Sequence, residues 1–401
     1  MAEDSNSESS EHEQPALAYA WAEEDNFDEA MDIPMNTESE ESNFDPVLAT
    51  QHSYLGHGEE IYGRTVLEEG SCVELPLLYN PSVMLMPGQT LPLSIFHPAS
   101  VAMVRRVIAS NKTFGFINNN SCVRPAGSSE ATIGVTAEIY EVKEDSEDAY
   151  TGFAVKAKGR QRFEVVSTRS QVDGVKVGLV RILRDELPAG PFACCRAASV
   201  WRQYELAPAA ARVCACNAVP VCAPGVVPAD PAELSYWVAM SLPLDDDVRA
   251  RLLRLDSVVR RLRYEISIMR TFKVMACADC EQPLASSDDV FAMSAEGPQS
   301  IFVNPHGDLH ETLTLHRASG LRCITRPSTE YSWFPGYAWE IAHCTQCSSH
   351  MGWRFTACRE SLRPTSFWGL CRRSLAVRSG PVAGAPPPDE SDEPGQIKLI
   401  F

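Results

Sequence analysis

A chain of 401 residues exceeds what one hydrophobic core commonly fills, so two domains with tails are expected. Of the 53 acidic residues 17 fall in residues 1–63, which hold no Lys or Arg, so the net charge of −18 belongs almost wholly to that segment. The remainder, 36 acidic against 35 basic residues, is near neutral and lacks the basic stripe that nucleic-acid binding requires.

The sequence has no run of 18 apolar residues, and its start lacks the basic and apolar regions of a secretory signal, so neither a membrane span nor export is expected. The expectation is a reducing compartment, cytoplasm and nucleus. There the 14 cysteines read as metal ligands or free thiols before disulfides.

Residues 1–62 are acidic, Ser-rich and poor in β-branched residues, the composition of a disordered tail. Within it the short apolar stretches "ALAYAWA" and "FDEAMDI" read as solvated tail ahead of the alternative, partner-binding helices. A β-rich domain with one or two helices is predicted over 63–186. The runs Leu75–Leu78 and Val83–Met86, broken by Pro and Gly, read as strands joined by turns. "PASVAMVRRVIAS" repeats apolar residues at helical spacing, and "TFGFI", "GVTAEIYEV", "GFAVKAKGRQRFEVV" and "VKVGLVRIL" return to strand alternation.

Residues 187–274 are expected to be a linker and helical segment. The first part is rich in Ala, Pro and Cys with poor periodicity, an irregular connection. Cys214, Cys216 and Cys222, with no His nearby, are a weak metal signal. From Asp245, placed as its cap, one helix is predicted. Val248, Leu252, Leu255, Val259, Leu262, Ile266 and Met269 form its apolar face, and its arginines lie largely on a solvated side.

Residues 275–383 carry the chemistry, and 384–401 read as a second tail. "CADC" (Cys277, Cys280) and "CTQC" (Cys344, Cys347) are two C-x2-C knuckles with 63 residues between them, the ligand set of one closed, structural zinc. Closing that loop costs on the order of 4 kcal/mol, against roughly 10–16 kcal/mol of apparent zinc binding in finger peptides. The intervening stretch must therefore be a small domain. A catalytic zinc would keep an open position, and the deaminase pattern H-x-E followed by P-C-x-x-C is absent.

Tyr337, Trp339, Ile341 and His343 alternate into Cys344, and the chain leaves the second knuckle as "GWRFTA" with Trp353 and Phe355 on one face. The metal ties the two strands together, and register decides whether Trp339 and Trp353 share a face. Trp333 adds a third indole from the Pro-Gly turn "SWFPG". Two arrangements suit these rings: an aromatic core, or a cage floored by Phe355. A cage would accept a methylated ammonium or a flat, neutral, polar ring met by backbone groups of the turn.

The stretches "VNPHGDLHETLTL", "RPSTEYSWFPGYAW", "CTQCSSHMGWRFTA" and "FWGL" resemble the cereblon family, substrate receptors of cullin-RING ubiquitin ligases. Upstream, "LMPGQTLPLSIFHP", "GVTAEIYEV" and "KGRQRFEV" are similar to that family's Lon-like N-terminal domain, and "LPLDDDVRARLLRLDSVVRRLRYEISIM" to the helical end of that domain. The resemblance spans roughly residues 70–185 and 235–380. It implies a mainly β chain: a Lon-like β-rich domain, a short helical segment and a zinc-stapled β-tent domain of the thalidomide-binding type. It also implies an imide cage on Trp333, Trp339 and Trp353, with Phe355 at its base, Tyr331 at the turn and Asn304 and Pro305 at the rim.

In the family that pocket accepts glutarimides and proteins ending in C-terminal cyclic imides, and presents them for ubiquitin transfer and proteasomal degradation. The implied partner is the damaged-DNA-binding adaptor of the cullin-4 ligase. Position 331 is Tyr where vertebrate members carry His. Residues 187–230 are shorter than the family's adaptor-gripping helical region and do not resemble it.

Enzymatic readings fare worse. A Lon-type protease needs a G-x-x-x-x-G-K-[ST] phosphate loop and a Ser–Lys region, and neither occurs. Methionine sulfoxide reductases of the B type share the β-tent and its zinc, but "RPTSFWGLC" has no Cys in the nucleophile's place. Cys358 and Cys371 read as buried small residues. A methyl-lysine reader is the third reading, and the expectation is a receptor without catalysis.

Overall fold

Period-two alternation over residues 72–182 becomes strands of one sheet. The structure, a computed structural model, describes residues 42–119, 132–145, 152–186 and 228–379. The stretches "ALAYAWA" and "FDEAMDI", the connection holding Cys214, Cys216 and Cys222, and the 384–401 tail lie outside the described residues. Strands β1 (Glu59–Glu60), β2 (Cys72–Asn80), β3 (Thr90–Ile95), β4 (Thr113–Asn118), β5 (Ile133–Asp145), β6 (Gly152–Ser170) and β7 (Lys176–Ile182) pair in the order β1-β5-β4-β2-β7-β6-β3. β6 pairs with β5 as well, so the sheet folds back on itself. Val83–Met86 is not a strand. All four residues are buried, but Asn118 Nδ2 donates to the Val83 carbonyl (2.8 Å) where a strand partner would stand. An unbroken apolar run signals burial, and the ladder falls instead at β3, beyond the turn at Pro87 and Gly88 (φ 88°).

Residues 42–62, expected in the disordered tail, are ordered. Phe44, just before helix α1 (Val47–Thr50), Ala49 within it and Leu55 in a 3-10 turn at Ser53–Leu55 are buried, and β1 follows. Phe44 meets the rings of Tyr337 (5.6 Å) and Phe334 (6.3 Å) edge-on. A few apolar anchors outweigh an acidic composition once an aromatic core is there to receive them.

Helix α2 (Pro98–Ile108) starts with Pro at its first position and buries Val101, Val104 and Val107. Helix α3 (Pro231–Ser241) begins where Asp230 accepts from Ala232 N and Glu233 N, and every residue from Leu234 to Ser241 is buried. The single helix predicted from Asp245 is two, α4 (Asp246–Arg254) and α5 (Val258–Thr271). Leu255 turns extended because Glu186 claims the backbone there, donating to Asp256 O (2.8 Å) and accepting from Val258 N (3.2 Å). Asp245 holds the cap position, but its side chain makes no capping bond.

Nor do the arginines all face solvent, for Arg249 and Arg261 are fully buried. Arg261 donates to Ser235 Oγ (2.7 Å) and Asp185 (3.1 Å) and lies 4.0 Å over the Tyr236 ring. Buried cations persist only when paired, and these pairs come from distant chain segments. No described helix is long and apolar enough to cross a membrane.

Strands β8 (Phe272–Cys277), β9 (Pro283–Ser286), β10 (Gln299–Val303), β11 (Leu309–Leu315), β12 (Leu321–Cys323), β13 (Tyr337–Cys344), β14 (His350–Ala357), β15 (Ser366–Cys371) and β16 (Leu375–Ser379) complete a mainly β architecture. They form a six-stranded sheet, β10-β11-β15-β14-β13-β12, and a three-stranded sheet, β16-β8-β9. Met275, Leu284, Leu313, Leu315, Leu370 and Leu375 form an aliphatic core beside the cysteines. A second cluster is aromatic: Phe302, Trp333, Phe334, Tyr337, Phe355 and Phe367.

Candidate functional site

Cys277 ends β8 and Cys344 ends β13, and each chain then turns back on itself. Glu281 N donates to Cys277 O (2.9 Å) and Ser348 N to Cys344 O (3.0 Å). Both turns close with a left-handed residue four positions after the first cysteine, Glu281 (φ 60°) and Ser348 (φ 64°). The two knuckles are thus built alike. All four sulfurs lie within 4.8 Å of one another, with Cys277–Cys347 and Cys280–Cys344 each at 3.6 Å. Four sulfurs about 2.3 Å from one ion would stand roughly 3.8 Å apart, so the donor set fits tetrahedral zinc and leaves no open position.

The β13–β14 register sets Trp339 opposite Phe355 and Ile341 opposite Trp353. Opposed residues of an antiparallel pair share a face, so all four look the same way. β15 continues the face with Phe367 beside Phe355 and Gly369 beside Trp353. Trp333 meets Trp353 edge-on at 4.5 Å and stacks on Phe302 at 4.9 Å. Phe355, 1% exposed, stacks on Phe367 (5.0 Å) beneath them.

Trp339 stands on the same face without ring contact to Trp333 or Trp353 among the described residues; its Nε1 donates to Glu330 O (2.7 Å). Trp333 Nε1 donates to Val303 O (3.3 Å). Backbone carbonyls of two different segments thereby fix two indoles. Trp333, Trp353 and Phe355 are brought together as one cluster, and Trp339 packs against it.

Gly369 is required by this packing. A Cβ there would lie 2.8 Å from Phe355 Cε2 and 2.9 Å from Thr312 Cγ2. Gly369→Ala is expected to displace Phe355 and cost about 1–3 kcal/mol, read as a lower denaturation midpoint together with changed Trp fluorescence. An unaltered midpoint would show that the floor has slack.

The rim residues differ in what they can offer. Asn304 Oδ1 accepts from His306 N (3.0 Å) and Asp308 N (2.8 Å), and its Nδ2 donates to Asp308 (3.0 Å), so its amide serves its own turn. Pro305 is exposed in that turn, directly after Asn304. Tyr331 is 42% exposed with φ 54°, the left-handed region that side chains seldom adopt. Its turn is held by Ser332 Oγ, which donates to Tyr337 O (2.7 Å).

Sequence reasoning missed two histidines. The His310 ring lies 5.1 Å from Trp353 and the His350 ring 5.0 Å from it, both edge-on, so imidazoles flank that indole. Burial lowers His310 against an opposing pull from Asp308; burial, then His343 and His310, lower His350. Both are therefore neutral at pH 7. The alternation of "LHETLTL", which puts His310 on one face of β11 with Thr312, was the available signal for the first.

Cys358 is exposed, contrary to the expectation of a buried residue, because it lies just beyond the end of β14. Cys371 is buried, its thiol pushed up to about 12 by desolvation. A reactive thiol needs a lowered value, and Cys371 has the reverse.

Residues 74–208 match the family model of the ATP-dependent protease La (LON) substrate-binding domain. Residues 273–379 match that of Yippee zinc-binding/DNA-binding/Mis18, centromere assembly, a span that takes in all four cysteines. With their geometry, this makes the site that of one structural zinc. "Protein cereblon" of Gallus gallus is 37% identical over 388 residues, covering 84% of this chain and 85% of that protein. The Danio rerio protein of that name is 37% identical, covering 83% and 88%, and the Xenopus tropicalis one 37%, covering 87% and 87%.

Proposed function

The chain belongs to the cereblon family, and on that premise we propose that it is a substrate receptor of a cullin-RING ubiquitin ligase that holds cyclic imides in its tryptophan cage. Proteins carrying C-terminal cyclic imides are the substrates it presents for ubiquitination. The damaged-DNA-binding adaptor of cullin-4 is its partner, and cytoplasm and nucleus are its location. It performs no covalent step itself. The observation that carries the reading is the common face of Trp339, Trp353 and Phe355, with Trp333 closing one side.

Trp fluorescence titrations with free glutarimide, a peptide ending in a cyclic imide, and a trimethyl-lysine peptide test this. Glutarimide and the imide peptide are expected to bind. Trp339→Ala is expected to weaken both by at least about 30-fold, with zinc content unchanged because the knuckles stay whole. Saturation by trimethyl-lysine alone would make the protein a methyl-lysine reader. Reduction of methionine sulfoxide by the purified chain would make it an enzyme. Co-purification with the ligase adaptor tests the partnership separately.

A further inference from the structure

Residues 52–54 lie behind the cage and touch it by three routes. Val303 N donates to Tyr54 Oη (3.2 Å), and Val303 is the residue whose carbonyl holds Trp333 Nε1. The Tyr54 ring is 6.1 Å from that of Tyr331, two residues before Trp333 in the same turn. His52 Nδ1 lies 2.9 Å from Tyr54 Oη, and its ring meets Phe302 edge-on at 5.7 Å, while Phe302 stacks on Trp333.

Tyr54 Oη accepts from Val303 N and shares a second hydrogen bond with His52 Nδ1. Burial, then Lys156 and Lys158, depress His52 to about 3, which keeps it neutral across the physiological range. Tyr331 sits at a positive φ, a conformation that persists only where neighbours hold it.

We propose that Tyr54, outside the zinc domain, is a positioning residue of the imide cage: by gripping Val303, which holds Trp333, and abutting Tyr331, two residues before it, Tyr54 fixes where the Trp333 turn stands at the mouth, and so which imides enter. The inference rests on the receptor reading and adds the residue that selects among its ligands. Its consequence is that ligand size matters. A bare glutarimide and an imide at the end of a peptide load the mouth differently, so a change in its width alters the ratio of their affinities.

The test uses the full chain with free glutarimide and a cyclic-imide peptide, followed by Trp fluorescence well below the melting transition. Tyr54→Phe, which keeps the ring and loses the hydroxyl, is expected to weaken glutarimide about 2- to 12-fold, the span of one net hydrogen bond. It should also shift the glutarimide-to-peptide ratio; Tyr54→Ala should shift it further. A purely structural residue would lower the melting temperature and leave both dissociation constants in place, because the chain remains folded at the assay temperature. Unchanged constants in Tyr54→Phe, or equal losses for both ligands, overturn the proposal even if Tyr54→Ala fails to fold. Absence of glutarimide binding by the unaltered chain overturns the receptor reading and this inference with it.

Discussion

Cys344→Ala is expected to release the zinc and unfold the domain over residues 273–379. The substitution removes one of four sulfurs that lie within 4.8 Å of one another and detaches the β13 end from the β8 end. Structural zinc supplies roughly 10–16 kcal/mol of apparent binding in finger peptides, and a whole domain retains only about 5–15 kcal/mol of net stability. Losing even half of the metal term exceeds what the aliphatic core beside it can replace. Metal analysis and thermal melting of the purified variant check this, and stoichiometric zinc in Cys344→Ala would refute the ligand set. The contrast with Trp339→Ala is diagnostic. One change removes the frame, the other only a wall.

Glu311→Ala should be the most damaging change away from the zinc. Arg249 Nη1 lies 2.6 Å from both Glu311 oxygens, and Arg372 Nε donates to one of them at 2.7 Å. Arg249 also donates to Met84 O (2.8 Å) and Arg372 to Leu244 O (2.9 Å), so the carboxylate joins β11 to α4 and to the buried run before β3. Removing it strands the fully buried Arg249 guanidinium, while Arg372 keeps its pair with Asp246, and breaking such a network costs about 3–5 kcal/mol. Denaturant melts read the loss, and a change under about 1 kcal/mol would mean that water reaches the arginines.

Desolvation raises the Glu311 carboxyl, but Arg249 and Arg372 outweigh it and hold it below its ordinary 4.5. A depressed value stabilises the folded state above the unfolded carboxyl's titration. That contribution disappears as the pH falls through the lowered value, so acid should loosen this joint only below the ordinary carboxyl range, and Glu311→Ala should flatten that acid limb of the stability profile.

How far the sequence revealed these features depended on distance along the chain. Knuckle spacing is local, so Cys277, Cys280, Cys344 and Cys347 were legible at once. The shared face of Trp339, Trp353 and Phe355 followed from period two plus a metal-tied turn. The tether on Trp339 was not legible, since it depends on the Glu330 carbonyl accepting from the ring N–H. The break at Leu255 escaped because Glu186, far upstream, competes for that backbone. Arg249 and Arg261 looked solvated because their partners Glu311 and Asp185 lie 62 and 76 residues away. Residues 42–62 were hidden by composition: Phe44 and Tyr54 are single anchors that no window average registers.

The closing strand carries a consequence for how the protein is made. β16, at Leu375–Ser379, pairs with β8, the first strand of the zinc domain, and the ligands Cys277 and Cys347 lie 70 residues apart. At about 5–20 residues per second, a ribosome needs roughly 4–14 s between them, during which the first pair of thiolates is alone. Metal loading therefore trails translation, and a nascent chain short of zinc would stall as an open sheet edge exposed to chaperones.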